Sequence, residues 1–276
     1  MKILRVCSPA KLNLFLHVTG RREDGYHTLQ TVFQLLNWGD HMTFELTETA
    51  GIELSGDTND ISAADNLILR AAHVLGQPDR GARIHIQKHI PRGGGLGGGS
   101  SNAALTLLAL NRLWELGFDQ DKLMAIGTPL GADVGVFLLG RSAWAEGVGD
   151  TLSPLTLPKR WFAIAQPRCE VSTAEIFRHP ELTRHTAPIT VQAFFSGAAR
   201  NDLQAVAMSL YPEIQRAWDW LNSEAAPAIM TGSGACVFAA FDTEAEARSI
   251  ATRAPANLPI VVAEGMDRLP EMWEVK

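Results

Sequence analysis

The sequence predicts an α+β fold, and three observations carry that prediction. Strand-like and helix-like stretches mix along the chain without the strict alternation that a doubly wound parallel sheet requires. A chain of 276 residues suits one large domain or two small ones. A boundary candidate also stands out: Thr151 to Arg160 contains Pro154 and Pro158 and has little periodicity.

The elements follow in order. Ile3 to Val6 opens a strand. From Lys11 to Val18 polar and apolar residues alternate, with Leu12, Leu14, Leu16 and Val18 on the predicted buried side and Lys11, Asn13 and His17 together on the other. Residues 20–25 have loop composition. His41 to Leu54 and Ala82 to Lys88 are again strand-like, and Asp65 to Leu75 between them reads as a helix with Asp65 as its N-cap. A longer helix runs from a Ser100 or Ser101 cap to about Leu116, with Gly117 as its stop. Asp119 to Ile126 is helical and ends before Pro129. Trp161 to Ala165 reads as a buried strand, the segment around Asp202 to Leu221 as helix, Ala235 to Phe241 as strand and Thr243 to Ala254 as helix.

Composition narrows the function. Hydrophobic residues at 46% and charged residues at 20% exclude a disordered chain. A net charge of −6 argues against a general binder of nucleic acid or anionic membranes. No apolar run reaches the ~18–20 residues that span a bilayer, and Arg5 and Lys11 interrupt any signal-peptide core. Cys7, Cys169 and Cys236 are odd in number and widely spaced, which indicates neither a disulfide framework nor a zinc site. The expectation is a cytoplasmic enzyme, and the sequence leaves its metal ligands and oligomeric state open.

The densest signal is Pro91-Arg92-Gly93-Gly94-Gly95-Leu96-Gly97-Gly98-Gly99-Ser100-Ser101, directly before a helix. Each ordered glycine costs roughly 0.5–1 kcal/mol relative to alanine, so an ordered tract implies that main chain must approach a ligand closely. The helix N-terminus behind it offers free N–H groups and partial positive charge, which suits phosphate. A flexible linker fits poorly between a strand and a helix packed this closely. Gly93, Gly95 and Gly98 match the dinucleotide pattern GxGxxG, but a string of glycines does so by default and the acidic partner on a second strand is missing. No Gly-Lys-Ser/Thr occurs, which removes the Walker A loop.

These residues resemble the second motif of the kinases named after galactokinase, homoserine kinase, mevalonate kinase and phosphomevalonate kinase. Pro9 to Leu16 is similar to the first motif and Met230 to Cys236 to the third. Asp65-Asn66-Leu67, Gly131 to Val134 and Glu146 to Gly149 match as well. Asp24-Gly25-Tyr26-His27 is specific to the branch acting on a cytidine diphosphate-linked methylerythritol. One departure is Gly135, where the family usually has proline.

The resemblance implies two α+β lobes with the active site between them: a ribosomal-S5-like lobe over 1–155 and a ferredoxin-like lobe over 156–276. It implies transfer of the γ-phosphoryl group of ATP, with Mg2+, to the 2-hydroxyl of that small-molecule substrate, in non-mevalonate isoprenoid precursor synthesis. Lys11 and Asp133 match the catalytic pair, Asp133 accepting the hydroxyl proton and Lys11 steering the alcohol and offsetting developing charge. Asn66 and Lys88 match adenosine-side residues, and Pro91 to Ser101 the phosphate cradle. Asn13, Tyr26, His27, Phe177 and Gly232 match the substrate side, with Tyr26 and Phe177 as walls around the cytosine and His27 on the base edge. Residues 1–30 carry Lys2, Arg5, Lys11, Arg21 and Arg22 against only Glu23 and Asp24, a local positive field suited to an anionic substrate.

Blander alternatives stand beside these roles. Asp133 could be a helix cap, Glu146 could touch the metal or cap the sheet, His17 reads as structural, and Cys236 as a small buried residue without a paired base. Rival activities are another kinase of the superfamily (on homoserine, mevalonate or a sugar), an inactive nucleotide-binding relative, or an NAD oxidoreductase.

Overall fold

The computed structural model describes residues 2–58, 61–198, 200–225, 227–269 and 273–275. Two long strands, β1 (Ile3–Arg21) and β2 (His27–Thr47), form its spine as an antiparallel pair. Near its end β2 pairs with β4 (Gly81–Gln87), which takes β3 (Gly51–Gly56) in the one parallel pairing among the described strands. In its middle β2 pairs with β5 (Ala143–Glu146), itself paired with β6 (Thr151–Pro154).

Helices α1 (Leu67–Val74), α2 (Gly98–Leu113), α3 (Gln120–Gly127) and α4 (Val134–Leu139) belong to this first half. Their core contains Phe44, Ile84, Leu107, Leu110 and Phe137. The second half has strands β7 (Trp161–Ala165), β8 (Ile229–Met230), β9 (Val237–Phe241) and β10 (Ile260–Met266). Its helices are α5 (Thr173–Arg178), α6 (Val191–Phe195), α7 (Gln204–Leu210), α8 (Pro212–Glu224) and α9 (Glu244–Thr252). A second core contains Ile176, Leu203, Ile214, Leu221 and Val237.

No strand or helix occupies 155–160, between β6 and β7. The end of the chain turns back: β10 pairs with β2, and β11 (Trp273–Val275) pairs with β1. A third apolar cluster joins the two halves, with Ala10, Leu12 and Leu36 meeting Phe162, Ile164 and Phe238.

Several local expectations are corrected. Both faces of β1 are buried, Lys11, Asn13 and His17 as deeply as the leucines, because a second half packs over the face that alternation alone would leave to solvent. Register shifts at Pro9/Lys11, Asn13/Leu16 and Val18/Gly20 also break the alternation, so Asn13 and Leu16 line the same cleft. Asn66, not Asp65, caps α1, its Oδ1 accepting from Ile68 N.

Helix α2 starts inside the glycine tract, with left-handed Gly97 as its N-cap and no serine cap. It stops at Leu113, before Gly117, where Glu115 takes φ +56°. The helical stretch after Asp202 breaks at Tyr211, because Pro212 cannot donate the hydrogen bond that would continue α7. No described helix is long and apolar enough to cross a membrane.

Candidate active site

The glycine tract is held in place through its carbonyls. Leu96 O accepts from Lys11 N at 3.0 Å, Gly93 O from Ala235 N at 2.9 Å, and Gly94 O from Cys236 N at 3.1 Å. Gly95 O accepts from the Thr231 hydroxyl at 3.3 Å and from Lys11 Nζ at 3.0 Å. The side chain of Leu96 is buried in the apolar cluster that joins the halves, a burial contributing about 1.5–3 kcal/mol. With the carbonyls spent inward, no amide from 93 to 100 has a hydrogen-bond partner among the described residues. Glycine is required at two of these positions. A Cβ on Gly95 (φ +72°) would lie 2.2 Å from Thr231 O, and one on Gly97 (φ +71°) 3.0 Å from Lys11 Cε.

The tract separates two cavities. One, of about 350 Å3, is lined by Pro91 to Ser100 together with Asn66, Lys88 and Asn102. The other, of about 410 Å3, is lined by Lys11, Asn13, Thr31, Asp133, Phe177 and Gly232, and it shares Gly93, Gly95, Gly97 and Ser100 with the first. Ser101 lines neither: its buried hydroxyl meets Ser8 Oγ at 2.8 Å.

In the second cavity Lys11 Nζ donates to Asn13 Oδ1 at 2.5 Å and to Gly95 O, and pairs with Asp133 Oδ2 at 3.1 Å. All three ammonium protons are thus committed, and the lysine ties the carboxylate to the glycine tract. Lys11 is 3% exposed and Asp133 30%, so the carboxylate is the partner open to a ligand. Asp133 stands at the start of α4 but makes no side-chain cap hydrogen bond; its carboxylate turns to Lys11. Asn13 is fixed in turn, its Nδ2 donating to Thr31 Oγ1 at 3.0 Å and its backbone N to Thr231 Oγ1 at 2.9 Å.

The β1–β2 hairpin carries Tyr26 and His27. Arg22 N donates to Tyr26 O and Gly25 N to Arg22 O, which leaves Tyr26 69% exposed and outside the lining of the cleft. His27, rather than Tyr26, stacks on Phe177, with ring centroids 5.1 Å apart. Glu146 is pinned to the sheet: Gln30 Nε2 and Trp144 Nε1 both donate to its Oε1, and these bonds hold its carboxyl below the usual range. Burial pushes the Cys236 thiol up to about 12, consistent with a small packing residue under Gly94. His17 is buried, and neither ring nitrogen has a hydrogen-bond partner among the described residues.

Sequence reasoning missed Asp40. Fully buried on β2, it accepts from Lys88 Nζ, from His89 N and Ile90 N at 2.8 and 2.9 Å, and from Asn102 Nδ2 at 2.9 Å. It therefore holds the lysine that lines the first cavity and the chain entering the glycine tract. Nothing in β2 singles it out, since the strand also carries Gln34, Asn37, His41 and Glu45. Thr231, which touches both Asn13 and Gly95, stood in a matched motif without an assigned part.

Comparison with known proteins agrees with this geometry. Residues 66–141 match the GHMP kinases N terminal domain and residues 190–260 the GHMP kinases C terminal domain. The chain is 49% identical over 271 residues to 4-diphosphocytidyl-2-C-methyl-D-erythritol kinase of Marinobacter nauticus, covering 95% of this chain and 94% of that protein. It is 53% identical over 253 residues to the same enzyme of Aromatoleum aromaticum, covering 91% and 89%. A crystal structure of 4-(cytidine 5'-diphospho)-2C-methyl-D-erythritol kinase superimposes with a TM-score of 0.82 at 35% identity, covering 95% of this chain and 98% of that one. A mevalonate kinase structure, at 16% identity and a TM-score of 0.67, shares the fold. An amide-lined glycine tract between two cavities, a lysine–aspartate pair beside it, and relatives matched over nearly the whole length lead to one assignment: the chain belongs to the GHMP kinases, ATP-dependent small-molecule kinases, and among them to the 4-diphosphocytidyl-2-C-methyl-D-erythritol kinase family.

Proposed function

We infer that this chain transfers the γ-phosphoryl group of ATP to the 2-hydroxyl of 4-diphosphocytidyl-2-C-methyl-D-erythritol, in isoprenoid precursor synthesis by the non-mevalonate route. The observation that carries the reading is the 3.1 Å contact between Lys11 Nζ and Asp133 Oδ2 in a cleft walled by the glycine tract. ATP takes the first cavity, with Asn66 and Lys88 on the adenosine side and the amides of Gly93 to Ser100 along the polyphosphate. The alcohol takes the second cavity, between Asn13, Gly232 and Asp133.

The substrate hydroxyl loses its proton to Asp133 as its oxygen bonds to the γ-phosphorus, the bridging P–O bond breaks, and ADP leaves with that electron pair. Lys11 stabilises charge at the reacting oxygens. Tyr26, His27 and Phe177 hold the cytosine, Tyr26 and Phe177 at its faces and His27, beside Phe177, at its edge.

Magnesium fits this donor set. Among the described residues no cluster of three metal-ligating side chains exists, but Mg2+ typically needs one or two protein oxygens besides phosphates and water. Ser100, on the wall the two cavities share, and Asp133, in the second cavity, would supply them, and the ion would neutralise phosphate charge.

A coupled ADP-release assay with magnesium tests the reading: the cytidylyl substrate turns over, and mevalonate, homoserine and sugars do not. Turnover of one of those alone would overturn it.

A further inference from the structure

We propose that Arg184 is a specificity-determining positioning residue: it locks His27 in the tautomer protonated at Nδ1, so that the base site offers a hydrogen-bond donor and favours cytosine over uracil. The inference rests on the base-site reading above and adds the residue that sets the polarity of that site.

Arg184 lies in the segment after α5 and is half-buried. Three of its five N–H groups bond to main chain: Nη1 donates to Leu182 O at 3.0 Å, and Nη2 to Phe177 O at 3.0 Å and His179 O at 2.8 Å. A fourth, on Nε, meets His27 Nε2 at 3.2 Å. A guanidinium has donors only and does not deprotonate, so the nitrogen facing it must present its lone pair. The single proton of the neutral imidazole then sits on Nδ1, which has no hydrogen-bond partner among the described residues.

Charge works in the same direction. Burial, then Arg184, then Arg21 hold the His27 pKa below its ordinary value, which keeps the ring neutral near pH 7. The stack of His27 on Phe177, which lines the cleft, places the ring beside the second cavity.

The consequence is chemical. Cytosine presents acceptors at O2 and N3, whereas uracil carries a proton on N3. The O2 acceptor is common to both bases, so the discrimination lies at N3: a fixed ring donor set against N3 pairs with the cytosine lone pair and opposes the uracil N3–H. Without Arg184 the imidazole could exchange tautomers and serve either base. A site whose polar group is left facing a like group discriminates strongly.

The tautomer can be read without any variant. In protein labelled with 15N-histidine, with the His27 signals assigned by their loss in His27→Gln, Nδ1 should appear protonated and Nε2 unprotonated at pH 7.5. A ring protonated at Nε2, or at both nitrogens, would overturn the proposal. In Arg184→Met the ring should shift toward the Nε2-protonated form. The preference in kcat/KM for the cytidylyl substrate over its uridylyl analogue should then fall at least ~10-fold, with the KM for ATP unchanged as a check on folding. An unchanged preference in Arg184→Met would sink the idea. His27→Ala separates the two levels. If it leaves the KM of the cytidylyl substrate unaltered, the base-site reading itself fails. If it raises that KM while Arg184→Met does not alter base preference, only the role of Arg184 fails.

Discussion

On one side of the glycine tract a single run, residues 91–100, forms much of the wall of the 350 Å3 cavity. On the other side the 410 Å3 cavity takes residues from β1, β2, the start of α4, α5 and two distant turns. The first surface presents main chain, whose amides from 93 to 100 have no hydrogen-bond partner among the described residues while the carbonyls are used inward. The second works through side chains whose positions depend on how the two halves pack. A main-chain cradle is sensitive to any added side chain, whatever its chemistry. An assembled site is sensitive to the chemistry of a few groups and to the contacts that hold them.

The sharpest way to test this difference is Asp133→Asn. It removes the proposed proton acceptor and keeps the shape, so kcat should fall by ~10²–10⁴-fold while nucleotide affinity stays near normal. Comparable losses in both would mean that the two cavities do not divide the work. Gly97→Val should act on the other side. Its Cβ would sit against Lys11 and the Phe137 ring at φ +71°, a conformation costing on the order of 1–3 kcal/mol for a residue with a side chain. Calorimetric titration with an ATP analogue should show affinity reduced by at least about tenfold, in a protein with an unchanged circular dichroism spectrum; normal affinity would remove the tract as the cradle.

Tyr26→Ala should raise the KM of the cytidylyl substrate by the equivalent of ~1–3 kcal/mol, the worth of one base stacked on an aromatic ring, and leave the KM for ATP alone. Because Tyr26 is exposed and stands off the cleft, equal effects on both would mean that it serves the hairpin and not the base.

A smaller effect concerns the packing between the halves. Burial holds the His17 pKa down against Asp202, with Arg200 adding to the depression. The unfolded chain therefore takes up a proton below about pH 6.5 that the folded chain refuses. Stability should decline as pH falls through that range, and His17→Leu should flatten the decline in Tm; an identical slope would assign the acid limb to other groups. The smallest effect is Gly135→Ala. In the first turn of α4 a Cβ there would make ordinary contacts, 3.4 Å to Leu152 and 3.5 Å to Met124. Stability should rise by about 0.5–1 kcal/mol with kcat unchanged, and a loss of activity would show that glycine beside Asp133 is needed for motion.

How far each part could be read in advance follows the same division. The glycine tract, the strands at 161–165 and 82–88, and the helix before Pro129 announce themselves through local composition and periodicity. Local sequence points the cap of α2 to a serine, which normally outranks glycine there, and only the packed backbone puts Gly97 in the left-handed region. Asp40 was invisible because its partners Lys88 and Asn102 lie far along the chain. The burial of Lys11 could not be foreseen from alternation, which tells which side chains share a face but not what later covers it.

By itself the sequence determined the local geometry and the family: glycines that leave the main chain uncovered, apolar periods, and motifs that match relatives over nearly the full length. Tertiary structure alone decided that Lys11 meets Asp133, that His27 rather than Tyr26 lies on Phe177, and that Arg184 faces His27. Backbone preferences act within a few residues of themselves. Contacts between groups a hundred or more residues apart exist only once two buried faces have closed on each other.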